Sequence, residues 1–196
     1  MILATCGTSP RAADSVDQLP RVEWSVSVNE PITRDHQLFG NAAIGSNENL
    51  RSILYSGMGV CNAADTTSVG SILRARDVEF SEYDLTYGWL ELEDSTDCDL
   101  VIYSRKPLLS ENVEVDEICY LPDDDMNVLV LFKFDDAMAW QHITSSYIGK
   151  RLAIVVNGEV VNAPVVNASI ESGNCSVLLP RRIAYRFLPG WECPDA

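Results

Sequence analysis

Residues able to do chemistry are few in this sequence, and they are scattered. His36 and His142 are the only imidazoles, and neither has a serine or cysteine at a spacing that would build a hydrolytic triad or dyad. The patterns G-x-S-x-G and H-E-x-x-H do not occur. Asp123, Asp125 and Asn127 have the i, i+2, i+4 spacing that opens a calcium loop, yet Val128 stands where the loop needs glycine and Phe134 where it needs glutamate. An acidic hairpin turn accounts for these residues better, and they remain only a weak candidate metal site. A hydrolytic carboxylate pair could be assembled from the acids between Glu91 and Asp99 or between Asp123 and Asp125. Only the surplus of acids speaks for it.

The six cysteines, Cys6, Cys61, Cys98, Cys119, Cys175 and Cys193, show no C-x-x-C spacing, which removes zinc-ribbon and thioredoxin-type readings. An even count allows a disulfide framework, but a core of this size does not need one, so buried or incidental cysteines are expected. Cys61 follows Gly57-Met58-Gly59 with no cation close in sequence to activate it. Cys6 differs. Leu3-Ala4-Thr5-Cys6 followed by Gly7-Thr8-Ser9-Pro10 has the outline of a lipoprotein processing site, although the apolar stretch is shorter than the roughly 7 to 15 residues of a signal h-region. Cys6 is therefore a weak candidate for lipidation on the stub of a longer precursor.

The elements that would position such residues belong to a globular chain. It has 196 residues, 46% of them hydrophobic and 22% charged, enough for one sizeable core. Twenty-nine acids against 14 lysines and arginines give a formal charge of −15, which argues against nucleic acid or anionic lipid as a direct ligand. No apolar run approaches the roughly 20 residues that span a bilayer.

Residues 1–20 are small, polar and aperiodic, a linker or processed N-terminus. Val22 to Val28 alternates strictly, with Val22, Trp24, Val26 and Val28 on one face, and predicts a half-buried strand. Two short helices follow, one capped by Ser46 and stopped by Gly57, the other capped by Asp65 or Thr66 with Val69, Ile72 and Leu73 inward. Gly57-Met58-Gly59 between them reads as a flexible turn. Strands are predicted at Gly88–Leu92 and Leu100–Tyr103 around an acidic turn, Glu93 to Asp99, and again at Val113–Leu121 and Met126–Phe134. An acid-capped helix then runs toward Gly149, with Ala137, Trp140, Ile143 or Thr144, and Tyr147 on one face. Cys175 to Leu179 predicts a last strand, and Pro180 to Gly190 allows about two helical turns. The four tryptophans, Trp24, Trp89, Trp140 and Trp191, are expected as core groups rather than a ligand cage.

The most informative stretch is Ile148 to Val166. Leu152 to Val156 meets Asn157-Gly158, whose two residues suit the positive φ angles of a type I′ turn, and a second apolar run leads to Pro164. With those two residues as the loop, Val156 faces Glu159, Ile154 faces Val161 and Leu152 faces Ala163, while Val155 and Val160 share the other face. Both faces are apolar, so the hairpin belongs inside a covered sheet. Gly149-Lys150-Arg151-Leu152-Ala153, Asn157-Gly158 and Ala163-Pro164 resemble the signature of the periplasmic head subdomain of SecD, a protein-export translocase subunit. The resemblance is densest over Asp135 to Pro164, extends over Tyr83 to Leu179 and stops before Glu82.

That resemblance implies an α+β fold, a ferredoxin-like SecD-head sheet with helices on one face, joined to an N-terminal extension of one strand and two short helices. The expected organisation is linker 1–20, extension 21–82 packing on the head, head 83–190 and tail 191–196. It implies no catalytic residue and no cofactor. Gly149, Asn157, Gly158 and Pro164 are then structural: a helix stop, a turn and a strand end. The function implied is a non-enzymatic binding or interaction module of the bacterial cell envelope, periplasmic or lipid-anchored, that contacts a polypeptide or another envelope component. A hydrolase with a dispersed carboxylate site and a cytoplasmic interaction protein are the alternatives.

Overall fold

The computed structural model of the chain describes residues 22–32, 59–62, 66–75, 77–91, 97–121 and 124–189. Cys6, His36, the helix expected after Ser46, Asp123 and Trp191 lie outside these residues. In chain order the elements are β1 (Glu23–Asn29), β2 (Gly59–Asn62), α1 (Thr66–Ala75), α2 (Asp77–Glu82), β3 (Leu85–Glu91), β4 (Asp97–Ser104), β5 (Leu109–Leu121), β6 (Asp124–Lys133), α3 (Ala137–Ser146), β7 (Ala153–Val156), β8 (Glu159–Asn162), β9 (Asn174–Pro180) and α4 (Arg181–Phe187). The fold is mixed α and β, mostly strands with a few helices. No described helix is long and apolar enough to cross a membrane.

The described residues divide into two compact units. One takes 22–26, 111–121, 124–150 and 165–189, the other 27–32, 59–62, 66–75, 77–91, 97–110 and 151–164. In the first unit the sheet order is β1-β5-β6-β9, with β6 antiparallel to both β5 and β9. The alternation read from β1 and β6 is realised: Trp24, Val26, Val128, Val130, Phe132 and Phe134 are all buried. Trp24 meets Phe132 and Phe187 edge-on, and its indole N–H donates to the Phe187 carbonyl at 2.6 Å. The helix α4 presents Ile183, Ala184 and Phe187 to this core, as its two turns between prolines allow.

The helix α3 begins because two sets of orphan amides find acceptors. Asp136 Oδ1 accepts from the Ala139 N–H at 2.9 Å, and the Glu111 carboxylate accepts from the N–H groups of Asp135 and Asp136 at 2.8 and 3.2 Å. Trp140, Ile143 and Thr144 form its buried stripe. Gly149, just beyond the helix, has φ of +79° and donates to the Val166 carbonyl at 2.8 Å.

In the second unit β2, β4 and β3 form a three-stranded antiparallel sheet in the order β2-β4-β3. Gly59, expected in a flexible turn, instead opens β2 because it pairs with Leu100. The acidic stretch expected as a turn cedes Asp97, Cys98 and Asp99 to β4, where Asp97 pairs with Asn62 while Cys98 and Asp99 pair on the other side with Glu91 and Leu90. Ladder pairing outweighs the poor strand propensity of aspartate and glycine there. The helix α2 was not expected; its Phe80 is buried and joins Val69 and Leu73 of α1 over Leu85, Leu100 and Ile102.

The hairpin β7–β8 has the expected turn, with φ of +50° at Asn157 and +86° at Gly158. Val156 pairs with Glu159 and Val155 with Val160, but Ile154 pairs with Asn162 rather than Val161. A register irregularity between Ile154 and Val155 absorbs one residue, and Leu152 consequently donates to the Pro164 carbonyl instead of facing Ala163. All four β7 residues are buried. Val155, Val160, Ala153 and Ala163 pack with Val101 and Tyr103 of β4.

Gly88 of β3 makes this packing possible. A Cβ there would stand 2.7 Å from Val160 Cγ2. Gly88→Ala is therefore expected to destabilise the chain by about 1–3 kcal/mol through overpacking, read from urea unfolding. Val160→Ala in the same chain is expected to recover part of that loss, a coupling of roughly 0.5 kcal/mol or more between the two sites; strictly additive effects would show that the contact is not the cause.

Candidate functional site

His142 is exposed on α3, and the nearby serines are used by the helix itself: Ser145 Oγ donates to the Gln141 carbonyl at 2.7 Å and Ser146 Oγ to the His142 carbonyl at 2.8 Å. Cys175 sits beside Phe132 in the β6–β9 register, and burial pushes its thiol up to about 12, partly opposed by the Ser176 amide. It is a thiol, not a thiolate nucleophile, at neutral pH. No three described histidine, cysteine, aspartate or glutamate side chains group closely enough to hold a metal ion. Of the weak calcium trio, Asn127 is buried, while Asp123 and the side chain of Asp125 lie outside the described residues.

Of the acids between Glu91 and Asp99, the described carboxylates are Asp97 and Asp99, two residues apart on β4 and so on one face of the sheet. Burial raises the Asp99 carboxyl above its ordinary range, and the Arg151 guanidinium pulls it part of the way back. Arg151 itself is anchored by a 2.6 Å hydrogen bond to the Ala163 carbonyl. Gly149, Asn157 and Gly158 take positive φ, and the Pro164 carbonyl closes the strand end.

Several large apolar side chains are exposed. In the first unit Met138 is 81% exposed on α3, and Ile148, at 54%, is bridged in parallel to Val166, next to the exposed Val165. Tyr185 is exposed on α4, and Lys150 lies 5.4 Å over the Tyr147 ring. Ile148 and Val165 flank the signature on either side, and their exposure was not legible from it. Gly88 and Glu111 were also missed. A glycine inside a strand pattern is the one signal that pointed to Gly88.

Residues 92–178 match the family model described as SecDF, P1 head subdomain. The resemblance carried by the hairpin is thereby shown over that span. Two solved SecDF structures are similar to the chain. One, described as a membrane component that enhances protein export, is 19% identical with a TM-score of 0.35 over 86% of this chain and 63% of that one. The other, SecDF in its super-membrane-facing form, is 14% identical with a TM-score of 0.29 over 83% of this chain and 28% of that one. The chain thus spans less than two thirds of either. No curated protein matches it.

The half-buried Asp99 gives a pH test. Because the folded pKa of Asp99 lies above the unfolded value of roughly 3.9, the folded state holds the proton more tightly, and stability is lost as pH rises through the folded pKa. Asp99→Asn, which cannot ionise, is expected to gain on the parent as pH rises from about 4 and to level off above the raised pKa. Arg151→Ala is expected to raise the Asp99 pKa further, read by carboxyl NMR titration; an unchanged titration would remove Arg151 as its counter-charge.

Proposed function

We propose that the chain is a non-enzymatic interaction module of bacterial protein export, positioned on the outer side of the cytoplasmic membrane, that contacts a polypeptide or another envelope component. The observation that carries this reading is the match of residues 92–178 to the SecDF P1 head subdomain. In this reading residues 83–190 are the head-like segment and 21–82 its extension, and the chain order β6, α3, β7, β8, β9 supports a ferredoxin-like head. The acid surplus favours partner segments that carry lysine and arginine. Cys6 would supply a lipid anchor.

The exposed Met138, Ile148 and Val165 are the contact groups in this reading. A methionine and aliphatic side chains suit a partner whose sequence varies, because they adapt to many apolar shapes. The test is fluorescence anisotropy with a permanently unfolded, alkylated polypeptide. The parent is expected to bind it, and Met138→Asp and Ile148→Asp each to weaken binding about 5-fold or more. Full affinity in both variants would remove this surface from the reading, and no binding by the folded parent would overturn the binding role itself.

A further inference from the structure

We propose that Cys61 and Cys98 form a cross-strand disulfide that staples β2 to β4. In the antiparallel β2–β4 ladder they are register partners, between Val60↔Asp99 and Asn62↔Asp97. Directly opposed residues of an antiparallel pair hold their Cα atoms about 4.5–5.5 Å apart. A disulfide spans Cα separations of about 4.4–6.8 Å. The backbone therefore sets the two positions within bonding range without moving either strand.

The other described cysteines lack this arrangement. Cys119 is opposite Leu129 and Cys175 opposite Phe132. The pair also sits where a covalent tie has most effect, since β2 is a four-residue strand at the edge of the order β2-β4-β3. Closing the bond encloses the intervening chain with α1, α2 and β3, and a loop of that length restricts the unfolded ensemble strongly.

The step is thiol–disulfide exchange with an acceptor disulfide, either glutathione disulfide or the disulfide of a protein oxidoreductase. One S–S bond forms between Cys61 and Cys98 and the acceptor S–S bond breaks. The two cysteines lose two electrons and two protons, and the acceptor leaves as two thiols. In the cell the inference rests on the proposed envelope location, where such acceptors keep pairs oxidised.

The test uses the full chain, incubated with oxidised glutathione, alkylated and digested without reduction. Mass spectrometry is expected to find the Cys61 and Cys98 peptides joined, two hydrogens lighter than their sum. Reduction is expected to lower Tm by about 5 °C or more; Cys61→Ser and Cys98→Ser should abolish both the linked pair and that shift, while Cys175→Ser keeps them. Alkylation of Cys61 and Cys98 as thiols after oxidation, or pairing with other cysteines, would overturn the disulfide wherever the protein resides. A pair that forms in vitro but is absent from protein recovered from its native cells would leave the disulfide standing and overturn the envelope location.

Discussion

The structure of the second unit depends on one strand with two apolar faces. Along β4, Leu100 and Ile102 point one way and Val101 and Tyr103 the other, and all four are buried. Burying a side chain of that size contributes roughly 1.5–3 kcal/mol, so neither face can be left to water. Val69, Leu73 and Phe80 cover one, and the hairpin β7–β8 covers the other. The positions of α1, α2 and the signature hairpin follow from this single requirement. Gly88 and the irregularity beside Ile154 are the local adjustments that let it be met.

The first unit is organised by aromatic packing instead. Phe134 meets Phe132 edge-on and Trp140 at a tilt, at centroid distances of 5.5 and 5.0 Å, and Trp24 continues the series from Phe132 to Phe187. The indole N–H of Trp140 donates to the Asn174 carbonyl, as that of Trp24 does to Phe187, so neither buried donor is left without an acceptor. Thr144, also buried, donates to the Trp140 carbonyl and accepts from the Ile170 amide, which ties the segment before β9 to α3. With the inner face of α3 committed in this way, Met138 is left outward and exposed.

Such an arrangement explains why the motif of the chain is a motif of scaffold. Among the letters that resemble the SecD head, Gly149, Asn157 and Gly158 take positive φ, and the Pro164 carbonyl accepts from the Leu152 amide. Binding groups are under no such backbone constraint and can vary without disturbing the core. A family signature can therefore identify the fold and lineage while marking none of the surface that meets a partner.

The sequence by itself determined the elements whose pattern is local. Alternation at Val22–Val28 and Val128–Phe134, the acid cap and apolar stripe of α3, and the Asn157-Gly158 turn all appear where their side-chain periods place them, because each is decided within a few residues. Only the tertiary structure decided the rest. Gly59 and Asp97 to Asp99 are strand because partners across the ladder pair with them. The hairpin slips by one residue because its strands are fitted to their neighbours rather than to the turn alone. Asp99 is partly withdrawn from water, and Cys61 stands opposite Cys98, through contacts between residues far apart in the chain, which no local pattern encodes.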